Sequence, residues 1–61
     1  MNQKEYELIG NTIALTYNAR TNEQRKAGIK DIALDLAYRF GQEYSNFDRE
    51  KFLKICNVGE L

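Results

Sequence analysis

The stretch IKDIALDLAYRF, residues 29–40, has the most regular pattern in the chain and decides the fold. Its apolar residues recur at intervals of three and four, which places their side chains on one face of an α-helix. The members of that face are Ile29, Ile32, Ala33, Leu36, Ala37 and Phe40. Ala27, Leu34 and Tyr38 fall on the opposite side of the same helix. A helix with apolar surface in two directions is either central in its domain or shared with a partner.

Sequence signals on both sides of this stretch give the helix boundaries. The tetrapeptide Thr21-Asn22-Glu23-Gln24 matches a capping box, with Thr21 as the N-cap residue and Gln24 reaching back to it. We therefore predict that a first helix over residues 3–19 ends before this box and that a second helix starts at it. The second helix should run to about Phe40, and Gly41 either caps it or is tolerated inside it.

The first helix has a wide apolar arc. One stripe is formed by Tyr6, Ile9, Ile13 and Tyr17, and beside it lie Leu8, Thr12, Leu15 and Thr16. The arc covers about half of the helix circumference, more than one neighbouring helix would hide. Gly10 falls outside the arc and weakens the helix by about 1 kcal/mol relative to Ala, which allows a break near it.

The surplus apolar surface of the first helix predicts self-association. A small domain that exposes a large apolar patch usually buries it against another protein, and a symmetric pair uses the same patch twice. We expect a homodimer whose interface contains Tyr6, Leu8, Ile13, Leu15 and Tyr17.

A short third helix follows a turn at Ser45 and Asn46. Asp48 is a good N-cap residue, and Phe47 and Phe52 stand at the two positions of a hydrophobic staple. Asn57 and Gly59 should end this helix. The predicted core consists of Ile29, Ile32, Leu36, Phe40, Phe52 and Leu53. The expected fold is all-α: residues 1–61 form one small bundle of two longer helices and a short C-terminal one, completed by dimerisation.

The composition limits how such a domain can be stabilised. A chain of 61 residues buries only about 60% of the surface that its unfolded form exposes. With one Cys and no His, it can form no internal disulfide and lacks the usual ligands of a zinc site. Association with a partner subunit is the remaining way to add stability.

The charge balance and the N-terminus bear on location. Nine basic and nine acidic residues give a formal net charge of zero, so long-range attraction to nucleic acid or anionic lipid is absent. No apolar run approaches the roughly 20 residues that span a bilayer. Lys4, Glu5 and Glu7 do not suit a signal peptide. We expect a soluble, cytoplasmic protein with no membrane partner.

The side chains available for chemistry argue against an enzyme, a bound cofactor and a metal site. Without His, the chain lacks the usual general base near neutral pH. Asp31 and Asp35 are one helical turn apart, but two carboxylates supply too few ligands for a calcium site. Cys56 lies late in a helix, where the helix dipole disfavours a thiolate, so a packed thiol is expected.

Binding is the function class that remains. Basic residues gather at the start of the second helix. The second apolar side of that helix, which faces away from the predicted core, carries the aromatic residue Tyr38. We predict that a protein partner binds Arg25, Lys26, Lys30, Leu34 and Tyr38. The alternative is a small helical DNA-binding regulator, because Arg20 and the same cations surround a helix N-terminus, which suits phosphate.

The segment FDREKFLKIC at residues 47–56, preceded by IALDLA at residues 32–37 and by Phe40, resembles the C-terminal half of small proteins found in bacteriophage and prophage genomes. Such proteins share this appearance without an assigned activity. Small phage proteins often bind and disable a host or defence protein. The resemblance thus implies either an inhibitor of the anti-CRISPR kind or a protein that takes over a host enzyme, in both cases by occluding its target in the host cytoplasm.

Overall fold

The computed structural model describes residues 1–59, which form helices and contain no strand. Helix α1 spans Gln3–Asn18, α2 spans Glu23–Glu43 and α3 spans Arg49–Cys56. The predicted all-α class, with two longer helices and a short third one, is confirmed. Over the same residues, no helix combines the length and the hydropathy that crossing a bilayer requires.

Each helix begins at an Asn or Asp side chain that accepts hydrogen bonds from the first turn. Asp48 accepts from the Lys51 amide at 3.0 Å, which confirms the predicted start of α3. At α2, Asn22 rather than Thr21 is the N-cap residue, and its Oδ1 accepts from the Gln24 and Arg25 amides at 2.9 and 3.1 Å. The prediction of Thr21 was wrong because Asn is the stronger cap and reaches two amides at once.

Helices α2 and α3 end differently. Helix α2 continues past Phe40 to Glu43 with Gly41 inside it, and the Tyr44 amide then donates to the Phe40 carbonyl at 2.9 Å. Helix α3 ends at Asn57, which adopts the left-handed conformation with φ 47°. An apolar residue after such a cap commonly packs back onto the last turn. Val58 does so and is buried, although its position beyond the helix gave no periodic signal.

Small residues form the part of α2 that faces the core. Ala33 and Ala37 are fully buried together with residues from α3 and the segment after it, namely Phe52, Leu53, Cys56 and Val58. Ile32 is 56% exposed, so its assignment to the core was wrong. The core-facing side of α2 was therefore predicted with a rotation about the helix axis that favoured the large side chains. Leu36 and Phe40 pack at the edge of the core, and Ile32 lies beyond it.

Gly10 lies where α1 and α3 pack closely against each other. Helix α1 continues through this residue, which is buried. A Cβ atom added to Gly10 would lie 2.6 Å from Cγ2 of Ile55, closer than two carbon atoms can approach. The sequence interpretation placed Gly10 outside the apolar arc and allowed a break there; instead the missing side chain makes room for α3.

Aromatic rings connect the three helices at one end of the bundle. The Tyr6 ring on α1 lies 5.3 Å from that of Phe40 on α2 and 4.8 Å from that of Phe47 before α3. The Phe47 and Phe52 rings are 5.5 Å apart, which confirms the predicted staple. Edge-to-face and tilted arrangements of this kind are favourable for aromatic pairs. The cluster therefore fixes where the short helix docks.

The lengths of the helices determine how much surface stays uncovered. At 1.5 Å per residue, α3 is about 12 Å long, whereas α1 and α2 are about 24 and 31 Å long. Helix α3 contacts both of the longer helices. It is too short to cover either along its whole length, so parts of both remain exposed.

Candidate interaction surfaces

The cysteine is not placed for nucleophilic or redox chemistry. Cys56 is a free thiol with no exposed surface. Burial raises the pKa of this thiol to about 11, so it stays protonated at neutral pH. A thiol in this position contributes to packing.

The two aspartates considered for a metal site, Asp31 and Asp35, lie on the surface of α2. Both are exposed. Within residues 1–59, no cluster of three or more His, Cys, Asp or Glu side chains is arranged to hold a metal ion. The two aspartates therefore belong to the solvated side of the helix.

A small cavity lies beside the aromatic cluster. Its volume is about 50 Å³, and Tyr6, Phe47, Phe52 and Ile55 are among the residues that line it. Buried surroundings raise the pKa of the Tyr6 hydroxyl, with further contributions from Tyr44 and Glu5. Ligand sites for organic molecules are usually several times larger, so this cavity suits water alone.

The apolar arc of α1 divides into an inner and an outer part. Of the five residues predicted for a dimer interface, Tyr6, Ile13 and Tyr17 pack against the core of their own chain. This corrects the expectation that they are surplus, because α2 and α3 both approach this side of α1. Leu8 and Leu15 point away from the core and are 69% and 73% exposed.

The outer α1 face, defined here as Leu8, Thr12, Leu15 and Ala19, carries no charge. Residues 8–19 read LIGNTIALTYNA, twelve positions without Asp, Glu, Lys or Arg, in a chain that is 30% charged. The Thr12 hydroxyl donates to the Leu8 carbonyl at 2.8 Å. That bond uses its proton inside the helix, so the threonine presents largely its methyl group to solvent.

The Tyr38 surface lies on the solvent side of α2. Tyr38 is 64% exposed, and an open depression of about 490 Å³ is lined by Asp35, Tyr38, Arg39, Gln42 and Glu43. The predicted cation neighbours are not at this position, since Lys30 precedes Tyr38 by eight residues, about 12 Å along the helix axis. Leu34, also predicted to bind the partner, is half-buried against the core.

The basic residues at the start of α2 do not form one exposed patch. Arg25 is exposed, whereas Lys26 and Lys30 are half-buried. The Nζ atom of Lys26 lies 4.7 Å from the centre of the Tyr17 ring, a cation–π contact within the chain. The Asn22 side chain already accepts hydrogen bonds from the backbone amides of Gln24 and Arg25. These amides are among the donors that a phosphate would use at a helix N-terminus.

Comparison with known proteins gives no relative: no family model, no curated protein and no solved structure matches this chain. The outer α1 face and the Tyr38 surface are therefore the features of the molecule that bear on its function. Sequence reasoning identified Leu8, Leu15 and Tyr38 but gave no weight to the uncharged segment between residues 8 and 19. The absence of charge over three turns of a surface helix was the signal that could have identified the outer side of α1 as a second uncharged surface.

Proposed function

We propose that the protein is a small protein–protein interaction module that covers a working site on a larger protein with its Tyr38 surface. The observation that supports this most directly is the exposure of Tyr38, 64% accessible in the C-terminal third of the longest helix. Tyrosine is enriched at protein interfaces because it buries a large ring while its hydroxyl keeps a hydrogen-bond partner.

The neighbours of Tyr38 suit a central anchor with a polar rim. Asp35, Arg39 and Glu43 line the same depression. Interface hot spots commonly combine one buried aromatic with surrounding polar contacts that exclude water. Two carboxylates against one guanidinium favour a target with a cation beside an apolar pocket. An acidic target, which Arg25, Lys26 and Lys30 would favour if they surrounded Tyr38, is less well supported.

The mechanism in this proposal is occlusion by a rigid surface. A helix held by a packed core loses little conformational freedom on binding, so more of the contact energy appears as affinity. The resemblance of residues 47–56 to small phage and prophage proteins suggests the class of target, a host or defence protein, and inhibition of the anti-CRISPR kind. We propose further that the inhibitor acts in the host cytoplasm and as a homodimer.

The test uses tagged protein and lysate from candidate host cells. Tyr38→Ala should leave the helical circular dichroism unchanged and weaken capture of the target by at least about tenfold, as expected for a hot spot. Ile32→Ala is the matched control, because Ile32 is an exposed apolar residue on the same helix outside the Tyr38 surface. Equal capture by wild type and Tyr38→Ala would place the binding surface elsewhere.

A salt titration on generic duplex DNA separates this proposal from the DNA-binding alternative. A DNA-binding regulator would lose affinity steeply with salt, and Arg25→Glu would reduce that binding for every sequence. We expect no saturable DNA binding at physiological salt, because Lys26 contacts Tyr17 and the Asn22 side chain occupies amides at the helix start. Tight, salt-sensitive binding would favour the regulator.

A further inference from the structure

The outer α1 face has the spacing of a helix-pairing seam. Leu8, Thr12, Leu15 and Ala19 follow one another at intervals of four, three and four residues. This is the alternation with which one helix packs lengthwise against another, because it keeps a narrow stripe facing the partner over successive turns. The two leucines occupy one of the two alternating seam positions, and the small residues Thr12 and Ala19 occupy the other.

The seam is suited to pairing with itself. A symmetric pair brings the same surface of both chains together, so residue i of one chain contacts residue j of the other and the reverse. Residues 8–19 contain no charge, and therefore self-pairing creates no like-charge repulsion and desolvates no ion. The Thr12 and Thr16 hydroxyls donate to carbonyls of their own helix, at 2.8 and 2.9 Å. No buried hydroxyl proton would lose its partner.

We propose that two copies of the chain associate through this seam with their α1 helices antiparallel. In antiparallel pairs, the two kinds of seam position face each other. Leu8 of one chain then faces Ala19 of the other, and Thr12 faces Leu15. Every layer thus combines one large and one small side chain, which lets the helices approach closely. The flanking Asn11 and Asn18 fall on one side of the seam, where their amides can bond across it.

Antiparallel pairing explains the seam better than parallel pairing does. A parallel pair would place Leu8 against Leu8 and Thr12 against Thr12, so wide and narrow layers would alternate along the seam. The antiparallel pair has four large–small layers over about 17 Å, two of Leu8 with Ala19 and two of Leu15 with Thr12. Four layers of side chains make a small contact, and small interfaces are typical of weak association, so the pair should dissociate on dilution. It leaves the Tyr38 surface of α2 outside the proposed contact.

Sedimentation equilibrium of the full chain between about 10 µM and about 1 mM tests the association. Wild type should shift from the monomer mass of 7.1 kDa toward twice that value. Leu15→Glu should raise the dissociation constant by at least about tenfold, because it places a charge in the seam. Ile32→Glu, which adds the same charge at an exposed apolar position of α2, should leave the association unchanged. A monomer throughout, or equal loss in both variants, would overturn the proposal.

Cysteine cross-linking tests the orientation. In the antiparallel pair the two copies of residue 8 lie about 16 Å apart along the axis, beyond disulfide reach. Leu8→Cys alone and Ala19→Cys alone should form no disulfide-linked dimer under mild oxidation, whereas a mixture should give the mixed disulfide, which a size tag on one chain identifies. Cys56 is buried and does not compete. Disulfides within each single variant, with none in the mixture, would show parallel pairing and overturn the antiparallel arrangement. This pairing rests on the homodimer in the proposed function, whereas target capture through Tyr38 is measured separately, so the dimer and the Tyr38 surface can each fail alone.

Discussion

The two sides of α1 contain similar residues in different surroundings. On the inner side, Tyr6, Ile13 and Tyr17 pack against the core, and the residues of α3 approach to within contact distance of Gly10. On the outer side, Leu8 and Leu15 are mostly exposed. Apolar periodicity marks both sides as able to be buried. What separates them is the small residue at position 10, which admits a neighbouring helix on one side alone.

The largest effect should come from the core that the inner side contacts. Phe52 is 2% exposed, and its ring lies 5.7 Å from that of Phe40. Phe52→Ala should lower the free energy of unfolding by about 3–5 kcal/mol, enough to unfold much of so small a domain. Circular dichroism during urea titration measures this. A transition that overlays that of wild type would mean that the aromatic cluster does not hold α3 in place.

A matched pair of substitutions on α1 compares the two sides directly. Ile13→Ala should lower the free energy of unfolding by about 2 kcal/mol, near the lower limit for buried aliphatic residues because Ile13 is half-buried. Leu15→Ala should change it by less than about 0.5 kcal/mol when measured at monomeric concentrations. Equal losses in the two urea melts would show that the outer side is also part of the monomer core.

Alanine substitutions at Gly10 and at Gly28 test the close approach of α1 and α3. Gly10→Ala gains about 1 kcal/mol in helix propensity but forces its Cβ into Ile55, so we expect a net loss of up to about 2 kcal/mol. Gly28→Ala meets no atom within 4 Å and should gain about 1 kcal/mol. Thermal melts of the two variants should move in opposite directions. A Gly10→Ala variant as stabilised as Gly28→Ala would contradict tight packing on the inner side.

The smallest effect concerns the start of α2. Asn22→Ala should lower the free energy of unfolding by about 1 kcal/mol, because two first-turn amides lose their acceptor. Thr21→Ala should change it by less than about 0.5 kcal/mol. Chemical denaturation of both variants tests the correction of the N-cap residue. A larger loss for Thr21→Ala would restore the capping box that the sequence suggested.

The parts of the fold that follow from local rules could be predicted. Asp48 as a cap, the Phe47 and Phe52 staple and the left-handed end near Asn57 each depend on a few neighbouring residues. The rotation of α2 could not, since buried Ala33 and exposed Ile32 are adjacent in sequence. Their burial depends on where α1 and α3 lie. The same holds for Gly10, whose role needs a second helix to become visible.

Only part of each candidate surface could be predicted, again because the neighbours of a residue depend on the three-dimensional arrangement. Exposed Leu8, Leu15 and Tyr38 were among the residues named from the sequence. Their neighbours were not: the cations expected beside Tyr38 lie further toward the start of α2, and the depression contains Asp35 and Glu43. Helix periodicity gives the face on which a residue lies, but its companions on that face also depend on distance along the axis.

The most direct test of the different roles of the two sides of α1 is a dilution series by NMR with leucine methyl labelling. Leu8 and Leu15 report on the outer side, and buried Leu53 reports on the core against which the inner side packs. We predict that the Leu8 and Leu15 methyl resonances shift with protein concentration while those of Leu53 stay fixed. Resonances that do not move up to about 1 mM, or equal shifts at all three leucines, would contradict the assignment of the outer side to self-association and of the inner side to the core.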